Sequence, residues 1–204
     1  MASKYLWLLD NGHGGIIDGL YQTNGKRSPR WSDGSILYEG EFNRAIVNRL
    51  IEKLTINAIN YVNITPENED ISLNERVRRA NSYHGQSDCI FLSIHSNAGG
   101  GEGYEIYTSK GDSLADKIAT IFFEKFQEEF PEAHMRVDFS DDDVDKEANF
   151  YVLNNTKMPA VLSENFFMDN ENECKTFLMS RDGRDRIANA HYTAIKNIEK
   201  NDLS

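Results

Sequence analysis

The chain has 204 residues, 39% of them hydrophobic, and a formal charge of −11 at pH 7, enough length and apolar material for one domain around a proper core. That charge argues against nucleic acid as a partner, because phosphate binding needs clustered lysine and arginine, and against passive adhesion to an anionic surface; an acidic excess lying away from a groove still permits an anionic substrate. No stretch approaches the roughly 20 apolar residues of a membrane span, and the apolar segment of "MASKYLWLLD" is too short for a signal peptide, so the protein is expected to be made in the cytoplasm and to stay there unless something releases it.

Strand-like and helix-like segments alternate along the chain, the signature of an α/β domain. Residues 5–9, Tyr-Leu-Trp-Leu-Leu, read as the first strand, which stops at Asp10. His13 follows with glycine on both sides, a backbone setting that suits close approach to a metal or a substrate better than packing. A long polar loop comes next, and a structureless connection of that size is usually functional or mobile. Residues 42–57 read as a helix with Phe42, Ile46, Leu50 and Leu54 on one face, and residues 61–65 as a short strand. "SLNERVRRANSYHG" opens with a capping-box pattern, Ser72 to Glu75, and reads as a second helix. In it Arg76 and Asn81 are expected to anchor the helix.

"CIFLSIH", residues 89–95, is a near-continuous apolar run of the kind buried on both faces of a sheet. It opens with Cys89, which together with Cys174 is expected to be a reduced thiol. Residues 103–108 form another strand, Leu114 through Phe130 a third helix, and "AVLSE", residues 160–164, a further buried strand. The tail from about residue 182 to residue 200 reads as a helix with Ile187, His191, Ala194, Ile195 and Ile198 on its apolar stripe, which makes His191 a packed core histidine. His84 closes a helix before Gly85, where a partly positive imidazole complements the dipole, and nothing favours His134 as more than a loop residue. "DFSDDDVDKE", residues 138–147, lacks the required glycine and the terminal glutamate spacing of a helix–loop–helix calcium site and is expected to be a solvated acidic loop. With no internal repeat, no low-complexity linker and no appended module, residues 1–204 are expected to be a single domain.

Three of these strands end in a side chain that can bind metal or move a proton: His13 just past the first, His95 closing "CIFLSIH" and Glu164 closing "AVLSE". In open α/β sheets, ligands bind beyond the carboxyl ends of the strands. Two neutral imidazoles and one carboxylate with a fourth position open make the ligand set of a catalytic zinc, and a further carboxylate is then needed as general base. Glu164 is one of the two glutamates required; Glu39 and Glu41 in "YEGEFN" are both candidates for the other.

"LLDNGHGG", "YEGEFNRAIV", "SLNERVRRAN", "FLSIHSNA", "GYEIY", "YVLNNTKMPAVLSENFFMDN" and "IANAHYTAI" resemble, in order and spacing, the zinc-dependent N-acetylmuramoyl-L-alanine amidases across nearly the whole chain. The resemblance implies a twisted, mostly parallel six-stranded sheet flanked by helices on both faces, one catalytic Zn2+, and cleavage of the amide between the lactyl group of N-acetylmuramic acid and the L-alanine of the peptidoglycan stem peptide. It places the metal ligands at His13, Glu39 and His95 and the catalytic glutamate at Glu164, with Glu39 preferred over Glu41 because an asparagine, Asn43, follows it by four residues. Asp10, Asn97 and Phe166 are expected around the metal or along the groove, Asp10 either orienting His13 or capping the turn. Three positions depart from the family pattern. Asn11 replaces a usual proline, Gly40 replaces a usual lysine and puts a substrate contact in doubt, and Phe166 replaces a usual glycine and is expected to reshape the groove wall.

"ENFFMDN" resembles the phage-lysin and prophage branch, which implies a monomer acting on peptidoglycan or muropeptides after release through a lysis-time, holin-type membrane lesion. A cytoplasmic role in muropeptide recycling is the second biological reading. Two other functions are a zinc peptidase cutting within the stem peptide and a wall-binding module that has lost activity, although all four catalytic positions are filled.

Overall fold

The apolar runs alternate between two cores, and that alternation sets the layers. The computed structural model describes residues 3–111, 113–140, 142–201 and 203. β1 (Leu6–Asn11) leads to a short hairpin, β2 (Ile16–Ile17) and β3 (Leu20–Tyr21), then α1 (Glu39–Ile56), β4 (Tyr61–Asn63), α2 (Leu73–Asn81), β5 (Cys89–Asn97) and β6 (Tyr104–Thr108). α3 (Leu114–Glu129), β7 (Lys146–Glu147), α4 (Tyr151–Asn155), β8 (Ala160–Phe167), α5 (Glu171–Glu173), a π-helical turn at Cys174–Met179 and α6 (Arg181–Lys200) follow.

The sheet has six strands in the order β4-β1-β5-β8-β6-β7. β4, β1, β5 and β8 run parallel, β6 runs antiparallel to β8, and β7 runs parallel to β6, so the sheet is mostly parallel as expected. Trp7, Leu9, Ile90, Leu92 and Ile94 face one core with α1, α3 and α6, while Leu8, Phe91, Ala160 and Leu162 face a smaller core under α2 and α4. Helices therefore cover both faces. From β1 the chain crosses to β4 on one side and then, through α2, to β5 on the other, which puts a topological switch point at the carboxyl ends of β1 and β5, where such folds open a ligand crevice.

The helix starts are written locally. Ser72 accepts a hydrogen bond from the Glu75 amide, Ser113 and Asp116 form a complete capping box, and Ser180 accepts from the Gly183 amide. His191 lies fully buried, edge-on to Phe126, with Nε2 3.1 Å from Asn165 Oδ1; burial presses its pKa down to about 3. Cys89 and Cys174 are both free thiols and buried. Among the described residues, no helix is long and apolar enough to cross a membrane.

Two stretches differ from the sequence reading. The long polar loop contains the β2–β3 hairpin, whose tip, Asp18-Gly19, has positive φ at both residues (49° and 78°), the backbone of a tight two-residue turn. The hairpin is tied to α1: Glu41 accepts from the Ile16 amide at 2.9 Å, and the Tyr21 hydroxyl accepts from the Gly40 amide at 2.9 Å. The acidic stretch is not uniformly solvated either. Asp145 is 1% exposed, and residues 146–147 pair with β6, because closing the sheet edge draws the following chain inward. Asp141 lies outside the described residues.

Candidate active site

Two residues past β1, the chain turns sharply at His13, whose φ is 68°. A non-glycine residue in this left-handed region costs on the order of 1–2 kcal/mol. The neighbours explain why glycines flank it. A Cβ on Gly12 would lie 2.1 Å from the His95 ring, and one on Gly14 would lie 2.8 Å from the Asp70 amide nitrogen. The Gly12 amide donates to the Ile94 carbonyl at 3.2 Å, and the Gly12 carbonyl accepts from the buried Asn43 side chain at 2.8 Å. The loop carrying His13 is thus pinned to both β5 and α1.

α1 brings Glu39 to the same place. Glu39 is its first residue and is 1% exposed, where the positive end of the helix favours a carboxylate. Its Oε1 lies 3.0 Å from His95 Nδ1 and 3.2 Å from His13 Nε2, and the two rings stand perpendicular with centroids 5.0 Å apart. Glu41, two residues on, instead holds the hairpin. His95 and Glu164 are register partners on β5 and β8, so the second imidazole and the second carboxylate sit side by side. Asn165 fixes this pair from behind by donating to the His95 carbonyl at 2.8 Å.

The charges are uneven. Burial opposes ionisation of Glu39, yet the imidazoles of His13 and His95 hold its carboxyl below the usual carboxylate range. Burial lowers the pKa of His95 against the pull of Glu39. Glu164 goes the other way, raised well above its ordinary value by burial and then by the negative charges of Glu39 and Glu105.

Three buried polar atoms here make no hydrogen bond: His13 Nε2, Glu39 Oε2 and Glu164 Oε2. His13, Glu39 and His95 each offer one ligand atom, all within 4.8 Å of one another. Four ligands about 2.0–2.1 Å from a tetrahedral zinc sit roughly 3.3 Å apart. The 3.0 and 3.2 Å separations need only a slight spreading, so the residues fit that ion.

These groups open onto a cleft of about 520 Å³ lined also by Lys26, Arg76 and Ile71, with Leu73, Phe150 and Tyr151 exposed along one wall. The same cleft reaches Asp10, but Asp10 neither orients His13 nor caps the turn. It is buried and accepts from Arg76, from Ser93 Oγ at 2.7 Å and from Thr65 Oγ1 at 3.1 Å. Arg76, expected only to anchor its helix, is therefore the buried partner of Asp10, whereas Asn81 does anchor α2 by donating to the Asn155 carbonyl at 2.9 Å.

Asn97 and Phe166 do not line the cleft. Asn97 donates to Glu105. Phe166 is fully buried against Phe177 and Phe130, at 4.4 and 5.0 Å between ring centroids. The reason is a register shift between His95 and Asn97 opposite β8, which turns Phe166 to φ 58° and sends its ring into the core. Gly40 sits where a side chain has no room, since a Cβ would lie 1.9 Å from the Gly14 carbonyl oxygen. His134 is exposed and faces another depression. Sequence reasoning missed Glu105, a buried carboxylate paired with Glu164 across β6 and β8 and held by Arg136, Lys146 and Tyr107. Its one signal was an acidic residue inside the apolar "GYEIY".

Replacing Gly12 with Ala is expected to push the His95 ring off Glu39 and weaken zinc binding by about 10- to 100-fold, the range seen when a ligand's support is disturbed. Competition with a chromogenic chelator measures this, and unchanged affinity would show that His95 does not depend on the Gly12 contact.

Comparison with known proteins identifies the family and the fold. The family model described as N-acetylmuramoyl-L-alanine amidase matches residues 8–197. The amidase CwlM of Bacillus licheniformis is 34% identical over 172 residues, covering 82% of this chain and 58% of that protein. The endolysin of Bacillus phage SPP1 is 31% identical over 202 residues, covering 96% of this chain and 66% of that protein. The chain thus spans less than two thirds of the length of these two relatives. The crystal structure of an N-acetylmuramoyl-L-alanine amidase from Clostridium difficile 630 superposes with a TM-score of 0.79 at 23% identity, covering 98% of this chain and all of that one, and it shares the fold. With a family model running almost from end to end, the chain belongs to the N-acetylmuramoyl-L-alanine amidase family.

Proposed function

We propose that the chain is a single catalytic unit that hydrolyses the amide between the lactyl group of N-acetylmuramic acid and the L-alanine of the peptidoglycan stem peptide, with zinc held by His13, Glu39 and His95 and with Glu164 as general base and acid. The observation that carries this reading is the meeting of two imidazoles and two carboxylates, from four separate elements, at one rim of the sheet over an open cleft. Zinc held there supplies Lewis acidity, lowering the pKa of a water to about 7 and polarising a carbonyl.

The chain's own residues supply the rest. Glu39 stays ionised, because the two imidazoles favour its charged form, and burial keeps His95 neutral, as a nitrogen ligand must be. Glu164 has the raised proton affinity that lets a carboxylate accept a proton from the attacking water and return it to the departing alanine amine. Water adds across the amide, leaving a lactyl carboxylate and a free alanine amine. The exposed Leu73, Phe150 and Tyr151 give the cleft an apolar wall suited to a sugar–peptide substrate.

A phage endolysin among the relatives supports a lytic role after release through a membrane lesion, with a monomer as the working unit. Digestion of purified sacculi followed by mass spectrometry tests the reaction. Intact muramic acid and stem peptides with a free L-alanine N-terminus are expected; sugars that retain alanine would instead make the enzyme a stem-peptide peptidase.

A further inference from the structure

We propose that Asp116, Asp143 and Asp145 form a second cation site, for calcium, on the far end of β6 from the active site. Three carboxylates from two separate segments meet there: Asp116 from the first turn of α3, and Asp143 and Asp145 from the segment before β7. Each offers an oxygen, and these oxygens lie within 4.8 Å of one another. Clustering of acids alone would be a solvated patch.

Two observations separate this cluster from such a patch. Asp145 is 1% exposed, and its Oδ1 is buried without a hydrogen-bond partner; Oδ1 of Asp143 is buried and unpartnered as well. Only the other oxygen of Asp145 is satisfied, by Thr108 Oγ1 at 2.6 Å. Among the described residues, no lysine or arginine forms an ion pair with Asp143 or Asp145. Burial, then the charge of Asp143 and the carboxyl–carboxyl contact with it, and last the charge of Asp116, hold the Asp145 carboxyl up at about 7 against the Thr108 hydrogen bond, so without a cation the Asp143–Asp145 pair favours a shared proton.

An unpaired buried carboxylate is costly, and a bound cation is one of the few ways to satisfy it. The donor set is all oxygen, which selects a hard cation. Calcium binds oxygens at about 2.3–2.6 Å, so it bridges oxygens up to about 5 Å apart, whereas magnesium demands a tighter octahedron. The site is not a helix–loop–helix calcium loop, because its ligands come from distant segments. An ion here ties the start of α3 and the end of β6 to the segment that leads through β7 to Phe150 and Tyr151 on the cleft wall.

Calcium titrated calorimetrically into the zinc-loaded protein is expected to bind at one equivalent, with a Kd on the order of 10⁻⁴ M, as in extracellular calcium modules. At about 100 times that Kd, the Tm should rise by about 5–10 °C. Asp143→Asn, at a half-buried position, should weaken binding by at least about 10-fold while leaving the calcium-free Tm equal or higher, since a like-charge contact with Asp145 is relieved. Absence of saturable binding, an equal Tm rise with magnesium, or wild-type calcium affinity in Asp143→Asn would each overturn the proposal. So would a calcium-free Tm lowered as much as the calcium-loaded one, which would mean a purely structural carboxylate.

Discussion

Glu164→Gln is expected to lower kcat on peptidoglycan by about 10²- to 10⁴-fold, the usual contribution of a positioned proton-transfer group, while zinc content stays at the wild-type level. The substitution keeps the size of the side chain, and Glu164 belongs to neither the loop nor the helix that carries His13 and Glu39. Its Oε2 is buried without a partner, so a neutral amide there tolerates the cleft but cannot accept a proton. The surroundings make the difference sharp, because burial and the nearby Glu39 and Glu105 raise the proton affinity of Glu164 above that of an ordinary glutamate. Release of dye from labelled sacculi gives the rate, and metal analysis of the same sample gives the zinc. Wild-type turnover in the variant would remove Glu164 from the chemistry; loss of zinc together with activity would instead move it into the ligand set.

The parts of this site that were legible in the sequence are those fixed by local pattern. Apolar runs of five to seven residues each deliver one chemically capable side chain at their end, and parallel pairing of β1, β5 and β8 carries those ends to a common rim. Glu39 and Glu41 were harder to separate, because both flank the start of one helix. The structure parts them by direction: Glu39 meets the two imidazoles, and Glu41 turns to the hairpin.

What the sequence did not disclose depends on partners distant along the chain. The β2–β3 hairpin exists because Glu41 and Tyr21 tie it to α1. β7 exists because β6 presents an edge. Phe166 was misplaced because a single extra residue in β8 inverts the direction of its side chain, and no periodicity argument detects a bulge. Glycine at such a position is the low-strain choice; here the aromatic cluster with Phe130 and Phe177 offsets the strained backbone.

Arg76→Met is expected to destabilise the protein by about 3–5 kcal/mol, the cost of stranding a buried charge by removing its partner. Asp10 and Arg76 are 1% and 2% exposed. Arg76 binds Asp10 and also donates to the Asn11 carbonyl at 3.0 Å and the Ile71 carbonyl at 2.7 Å, clamping α2 to the end of β1 just before the His13 turn. Ser93 and Thr65 still donate to Asp10 in the variant, which favours the lower end of the range. The pH dependence gives the sharper test. Burial raises the pKa of Asp10, but Arg76 and Ser93 together bring it below the ordinary aspartate value. A depressed carboxylate adds stability that is complete above the unfolded pKa of about 3.9 and drains away as pH falls through the folded value. Without Arg76 the burial effect dominates and raises the folded pKa of Asp10, so the variant's deficit should be largest at neutral pH and shrink towards pH 3, as Asp10 of the variant takes up a proton. Urea unfolding with a slope of about 2–3 kcal/mol/M reads the difference as a midpoint shift of about 1–2 M at pH 7. A deficit that is the same at both pH values would mean that Arg76 acts through packing alone, and the neutral pair Asp10→Asn with Arg76→Met would then recover nothing.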